Sequence, residues 1–385
     1  MGHLVRSFAL AQGLAERFRV VFLNGGKLPR GIAVPKTIEV ISLPPLGMDI
    51  EGNLVSRDQR RTVAHTQALR SRIIMQTFAA LRPQALLIEL FPFGRKKFAF
   101  ELMPLLEAAR QCAPRPLILC SLRDILVGKR RDQSHHDERA SLLANRFFDA
   151  ILVHADPRFA RLEESFHPAT PLSIAVHYTG FVFADRADAK AQKRQRMAPI
   201  LVSAGGGLVG EPLFRAAVGA HALLWLELGV PMKIIVGPFL PEKHWLALRT
   251  VARQQRGLTV RRTVPDMCAE MRAATASISQ CGYNTALDIL HAGVPALVVP
   301  FSEGREDEQI QRARRLEQLG TLRLLDPQRL TPVTLAEAIR KLLSFRPRPS
   351  ALNLDGAQNT ADLVAWLLQP PSVPTHVATT QGVQL

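Results

Sequence analysis

Ser279-Gln280-Cys281-Gly282-Tyr283-Asn284-Thr285-Ala286-Leu287-Asp288, followed by Gly293-Val294-Pro295-Ala296-Leu297-Val298-Val299-Pro300, decides the fold. The apolar residues 276–279 predict a strand, and the small polar turn after them opens a helix near Asn284. Gly293 stops that helix, and the next buried strand starts at Pro295. A glycine turn carrying Asn284 and Thr285 at a helix N-terminus leaves backbone N–H groups pointing above the sheet, an arrangement that suits an anion such as a diphosphate. Asp288 follows about one helical turn later. There a carboxylate can accept hydrogen bonds from sugar hydroxyls, and the same acid also reads as a capping or dipole residue.

Outward from this stretch, short β-rich runs alternate with longer amphipathic segments, which predicts a parallel α/β architecture. Strands are expected at 19–23, 37–41, 85–90, 116–120, 150–153 and 173–177, then at 199–203, 232–236, 258–261, 276–279, 296–299 and 321–325. Helices are expected at 58–81, 98–111, 212–227, 242–255, 284–291, 307–319 and 332–344. The fold class is α/β, with two doubly wound Rossmann-like domains and a cleft between them. Residues 1–183 form the first domain, the charge- and alanine-rich 184–198 a linker, and 199–346 the second domain. A last amphipathic helix lies within 347–369, and 370–385 reads as a disordered tail.

The chain has 385 residues and a formal charge of +16, with basic runs at 57–61, 95–97, 129–131 and 190–196. Such a surface attracts polyanions, although solvated faces of an arginine-rich chain explain it equally. Aromatic residues do not interleave with the runs and no nucleic-acid-binding signature stands out, so no nucleic-acid partner is expected. Cys112, Cys120, Cys268 and Cys281 are scattered without a CxxC pair, which excludes a disulfide framework or zinc site and suits reduced thiols. No apolar run approaches the ~20 residues of a membrane span, and no signal peptide is visible. A cytoplasmic location is expected, with peripheral contact between the basic surface and the inner face of the membrane.

The loops that follow strands should line the cleft. Ser203-Ala204-Gly205-Gly206-Gly207-Leu208-Val209-Gly210 is one, and its three glycines let a ligand approach the backbone. It has neither the dinucleotide fingerprint nor the P-loop Lys-Ser/Thr, so plain turn chemistry is its other reading. Gln309, in the helix start Glu306-Asp307-Glu308-Gln309-Ile310-Gln311, is an amide able to bind sugar hydroxyls, or a solvated helix residue. His3, in a glycine turn at a helix N-terminus, is a candidate general base or a structural histidine. Glu89 closes an apolar strand, and Arg123-Asp124 follows another; either acid would assist an acceptor hydroxyl or pair with a nearby arginine. His135-His136 would sit about 100° apart on a helix, which argues for a solvated face rather than a metal site.

With these residues in hand, the second half resembles the C-terminal domain of family 28 glycosyltransferases, the family that includes the peptidoglycan lipid-intermediate N-acetylglucosaminyltransferases. The likeness rests on Gly205-Gly206-Gly207, Val264-Pro265-Asp266-Met267, residues 279–288, Val299-Pro300-Phe301 and the helix start at 307–311. Over the whole chain, the Gly2-His3 turn, Pro92-Phe93-Gly94 and Arg123-Asp124-Ile125 resemble a branch of predicted glycosyltransferases. The resemblance implies a GT-B fold and an inverting, metal-independent transfer of a hexosyl group from a nucleotide-diphosphate sugar, expected to be a UDP-sugar, with no cofactor. Gly205, Gly206, Gly207, Gly282, Asn284 and Thr285 would face the diphosphate, in a donor loop that includes Gln280. Val264 and Met267 would lie near the base, Asp288 at the ribose and Gln309 at the sugar. Glu89, Arg123 and Asp124 would be on the side of an unknown glycan or lipid-linked acceptor. The relatives usually carry Glu at the position of Asp288, and their adjacent glutamine pair is here split by Ile310.

In the family the Gly-His turn follows a central strand, whereas here Met1 precedes it directly. The expectation is either an upstream start or a shortened, compromised copy, with neighbouring strands left unpaired. The expected reaction is a single displacement with His3 as base and helix N-termini stabilising the departing diphosphate. The alternatives are a nucleotide-sugar 2-epimerase of the same fold and a non-catalytic nucleotide-sugar-binding or membrane-anchoring partner. A nicotinamide dehydrogenase fits worst, because no G-x-G-x-x-G follows a first strand.

Overall fold

The computed structural model describes residues 2–28, 34–49, 51–126, 132–183, 198–301 and 307–369. The linker and tail expected at 184–197 and 370–385 lie outside them, as do Glu306 and the basic runs at 129–131 and 190–196.

The first half opens with helix α1 (Gly2–Leu14), so His3 lies in a first helical turn rather than a loop. Strands β1 (Val21–Asn24) and β2 (Glu39–Ser42) follow, then a hairpin of β3 (Leu46–Met48) and β4 (Leu54–Ser56) that the sequence pattern did not announce. Next come α2 (Val63–Leu81), β5 (Ala85–Glu89), α3 (Ala99–Gln111), β6 (Leu117–Arg123), α4 (Gln133–Phe147), β7 (Ala150–His154) and β8 (Ala175–Tyr178). β6 and β7 are near-continuous apolar runs because both of their faces are covered.

Strands β5-β6-β7-β8 form one parallel sheet, with Glu89 opposite Ser121 and Arg123 opposite His154. β1 and β2 pair in parallel as a separate two-stranded sheet, and no ladder joins β1 to β5 among the described residues. What bridges the two pieces is α1. Phe8 and Ala11 pack with Phe22, Ile38 and Val40 of the small sheet, while Ala9, Leu10 and Leu14 pack with Leu119, Ala150 and Leu152 of the large one. Arg70 of α2 adds a polar clamp: fully buried, it donates to both carboxylate oxygens of Glu101 at 2.7 Å and to the carbonyls of Gly25 and Pro44.

The second half runs β9 (Ile200–Ser203), α5 (Glu211–Leu228), β10 (Met232–Ile235), α6 (Glu242–Gln254), β11 (Leu258–Arg261), α7 (Met267–Ala273), β12 (Ala276–Ser279), α8 (Tyr283–Ala292), β13 (Ala296–Val298), α9 (Glu308–Gln318), β14 (Arg323–Leu324) and α10 (Pro332–Leu343). All six strands are parallel in the order β11-β10-β9-β12-β13-β14. Gly293 ends α8 at φ 61°, the left-handed backbone a helix stop favours. The final helix α11 (Gly356–Leu367) returns to the first half and packs on α1.

The two halves share one apolar core, in which Phe159 and Phe181 of the first meet Tyr283, Leu287 and Leu316 of the second. Inside it, Arg312 of α9 pairs with Asp124 through two hydrogen bonds of 2.7 and 2.8 Å, and both side chains are buried. Burial alone would raise the Asp124 carboxyl, but the Arg312 guanidinium overrides it and holds the group below the usual carboxylate range. Tyr283 of α8 reaches across the same interface, donating to the His154 carbonyl and accepting from the Val182 N–H, both at 3.0 Å.

Removing one partner of a buried pair strands a charge. Arg312→Ala should therefore cost about 3–5 kcal/mol in urea unfolding, while joint replacement Arg312→Met with Asp124→Leu should recover most of that loss.

Candidate functional site

In the second half the strand order, not the strand direction, reverses between β9 and β12; this is the topological switch point, where ligands of doubly wound folds sit. The two loops singled out in the sequence follow these two neighbouring strands. The first helix beyond each loop starts without a side-chain cap: Gly210 precedes α5 and Gly282 precedes α8. The first-turn N–H groups of both helices thus lack a local side-chain acceptor, and two positive dipole ends lie side by side.

The glycines of the first loop divide the work. Gly205, at φ 52°, is exposed, and a side chain there would meet open space. Gly207 faces the protein: at φ 86° it is buried, and a Cβ would come within 1.9 Å of the Val236 carbonyl oxygen. Its N–H is already donated to Ala204 at 2.9 Å. Gly207 therefore shapes the loop, and the expectation that it faces a ligand does not hold.

The second loop is braced on every side. Gln280 donates its amide to the Val209 carbonyl at 3.0 Å, tying the two loops together. Gln309 accepts from the N–H groups of Cys281 and Phe301 at 3.1 and 3.2 Å, so its carbonyl oxygen is committed to backbone. Arg312 donates to the Cys281 carbonyl at 2.8 Å. Cys281 itself is sealed, and burial pushes its thiol up to about 12. Asp288 lies beyond the first turn of α8, which contains no acid, so the capping reading falls away. It sits on the flank of α8 packed against α7, where its carbonyl accepts from the Cys268 thiol. Half-buried Val264 and Met267 adjoin α7, so these three predicted donor residues share one side of the loop, with Thr285 half-buried in the first turn.

The opposite wall comes from the first half. Asn284 donates to the Gly2 carbonyl at 3.0 Å, which sets His3 beside the start of α8. His3 Nδ1 lies 2.9 Å from Glu89 Oε1, and buried Arg6 also donates to that oxygen. A carboxylate only accepts, so Nδ1 carries the proton and Nε2 is the basic atom of the neutral ring. The Glu89 hydrogen bond, the largest influence, raises the imidazole pKa, but burial and the charges of Arg6 and Arg123 outweigh it and leave His3 below the ordinary histidine value. Burial would raise Glu89, yet Arg6 and His3 together draw it down to about 2. Of the two roles the sequence left open for Glu89, the structure shows the pairing with an arginine, to which it adds the hydrogen bond from His3.

Arg123 is paired with Glu308 across the interface, and Asp124 is buried against Arg312. Asp124 is thus a structural ion pair rather than an acceptor-side group, a correction caused by an arginine 188 residues away. His135 is exposed and His136 half-buried, in keeping with a solvated helix face; with Phe91, Lys96, Asp132 and Arg139 they border an open surface pocket of about 210 Å³. Sequence reasoning missed Arg6, Tyr283 and Arg312. The only signal for Arg6 was its position one turn after His3. Among the described residues no group of three His, Cys, Asp or Glu side chains is placed to hold a metal ion, and no helix is long and apolar enough to cross a membrane.

Residues 242–365 match the model of the glycosyltransferase family 28 C-terminal domain. The chain is 30% identical over 190 residues to the UDP-N-acetylglucosamine–N-acetylmuramyl-(pentapeptide) pyrophosphoryl-undecaprenol N-acetylglucosamine transferase of Exiguobacterium sp., covering 48% of this chain and 52% of the relative. It is 31% identical over 198 residues to the Pseudomonas paraeruginosa protein of the same name, covering 51% and 52%. The chain thus spans about half the length of these curated relatives. Among solved structures, the calicheamicin glycosyltransferase CalG4 superposes with a TM-score of 0.57 at 17% identity, over 95% of this chain and 92% of that one. Acinetobacter baumannii MurG gives 0.52 at 18% identity, over 95% and 96%. The shared fold is GT-B: two Rossmann-like α/β domains facing a cleft.

Because the space beside Gly207 is filled by a backbone carbonyl, Gly207→Ala should displace the loop and lower the thermal unfolding midpoint by several degrees, read by scanning calorimetry. Gly205→Ala, which meets no atoms, should unfold at a higher temperature than Gly207→Ala despite its own positive φ.

Proposed function

We propose that this chain, whose carboxy-terminal portion belongs to glycosyltransferase family 28, moves a hexosyl group from a nucleotide-diphosphate sugar, expected to be a UDP-sugar, to an acceptor hydroxyl. The observation that carries this reading is the Asn284–Gly2 hydrogen bond: it holds a basic imidazole against the uncapped helix start where a diphosphate would lie. Residues 282 positions apart in sequence are thereby brought together, which supports the reading that an acceptor hydroxyl and a donor meet there.

In the proposed step, His3 Nε2 takes the proton of the acceptor hydroxyl while the oxygen attacks the anomeric carbon from the face opposite the leaving group. The bond to the nucleoside diphosphate breaks, and the leaving oxygen keeps the electron pair. The exposed Gly205, the half-buried Gly206 beside it and the first-turn N–H groups of α8 stabilise that developing charge, so inversion without a metal ion is the expected course. Asp288, Val264 and Met267 would receive the nucleoside on the α7 side. Gln309 contributes by bracing the loop and retains its amide N–H₂ for the sugar. The acceptor is a glycan or lipid-linked hydroxyl, reached from the membrane surface through the basic exterior. The curated relatives are named for an undecaprenol-linked acceptor, which supports this class. The isomerase and binding-only readings have no observation of their own in the cleft.

Incubating the full chain with radiolabelled nucleotide sugars and membrane extract should transfer label to an extractable acceptor, with or without EDTA. Isomerised or unchanged donor would overturn the transferase reading. His3→Ala should lower turnover by roughly 10²–10⁴-fold with donor affinity nearly unchanged. A base must be neutral, so activity is full above its pKa and is lost as pH falls through it. Since His3 is held below 6.5, the acid limb of the rate profile should have its midpoint below that value.

A further inference from the structure

Directly beneath the His3–Glu89 pair runs a buried line of polar groups that the proposed reaction does not use. Glu89 Oε2 lies 3.3 Å from Ser121 Oγ, Ser121 Oγ lies 2.8 Å from His154 Nε2, and His154 Nδ1 lies 2.8 Å from Thr179 Oγ1. Ser121, His154 and Thr179 are all buried, and His154 has no exposed surface. The line crosses the ends of neighbouring strands, from Glu89 on β5 through β6 and β7 to Thr179 just past β8.

Hydrogen counting fixes its direction. Glu89 can only accept, so Ser121 spends its single proton on Oε2. The Ser121 oxygen then accepts from His154 Nε2–H, and His154 Nδ1 accepts from the Thr179 hydroxyl, 2.8 Å away, in preference to the Gly180 carbonyl that the same hydroxyl approaches at 3.3 Å. This demands a neutral His154, and burial, helped by the charge of Arg6, holds that imidazole down to about 3. A buried neutral imidazole with both nitrogens satisfied is a rigid strut. Its effect concentrates on one atom. Arg6 and His3 both engage Oε1, whereas Ser121 is the partner of Oε2.

We propose that Ser121 and His154 are positioning residues: by gripping the second oxygen of Glu89 they fix the plane of its carboxylate, and through it the tautomer and orientation of the His3 ring. This rests on the reading of His3 as the base. The other charged groups facing the pair are Arg6 from α1, Arg95 from the loop after β5 and Arg123 from β6. None of them touches Oε2 among the described contacts.

The test is imidazole ¹H–¹⁵N spectroscopy of the ¹⁵N-histidine-labelled full chain, with His3 identified by its absence in His3→Gln. The wild type should show His3 protonated at Nδ1 alone. Ser121→Ala and His154→Leu should shift it to a mixture of the two tautomers, and His154→Gln, whose amide can both donate and accept, should restore the wild-type pattern. An unchanged His3 signature in folded Ser121→Ala overturns the proposal, whether or not His154→Leu folds. In turnover, Ser121→Ala should lower kcat by about tenfold, the equivalent of one hydrogen bond to a charged group, with the donor KM unchanged. A shifted tautomer with unchanged kcat in an active enzyme leaves the strut standing and overturns its role in catalysis. A wild type that transfers no sugar, with the tautomer shift still seen in Ser121→Ala, would refute the transferase reading and uphold the positioning.

Discussion

The interaction on which the rest of the structure depends is the buried guanidinium of Arg312. It holds Asp124 of the first half with two of its nitrogens and the Cys281 carbonyl of the loop before α8 with the third. Domain interface and loop geometry are therefore fixed by one side chain. Such a pair adds little stability relative to an apolar substitute, because two charges must leave water. What it supplies is register: an unpaired Asp124 is intolerable in that core, so only one relative placement of the halves is compatible with both groups. Tyr283 reinforces it, its ring lying between the guanidiniums of Arg6 and Arg312 at 5.4 and 6.0 Å.

Most of the second half was legible in the sequence. Buried parallel strands are apolar runs with turn residues at their ends, and both loop-helix junctions could be placed because glycine marks each one. The same logic explains the misreadings. Glycine density at 205–207 showed that the backbone approaches something closely, but not that Gly207 approaches Val236 rather than a ligand. Gln309 was recognised as an informative amide, yet its oxygen is spent on two backbone groups that lie near it only after folding. The hairpin at 46–56 has strands of three residues, too short for a period-two pattern to register.

The first half was harder to read, because its polar residues acquire meaning from distant partners. Asp124 and Arg312 are separated by 188 positions, Asn284 and Gly2 by 282, and His3 and Glu89 by 86. Nothing local distinguishes Ser121 or His154 from ordinary strand residues. Only the register that sets Glu89 opposite Ser121, and Arg123 opposite His154, turns them into a connected line.

These long-range contacts also explain how His3 is held. Helix α1 bridges two sheet pieces that share no ladder among the described residues, so backbone pairing between β1 and β5 does not fix its position. Its restraints come instead from α11, which returns from the far end of the chain, from the Asn284 amide of α8, and from Arg6 and His3 gripping Glu89. Two of those restraints belong to the second half. The placement of the basic imidazole is thus a property of the closed pair of domains rather than of the domain that carries it. Beside the apolar packing of α1 on Leu119, Ala150 and Leu152, Glu89 is its polar anchor on the sheet, and the carboxylate can serve in that way because Ser121 holds its second oxygen while the first takes Arg6 and His3.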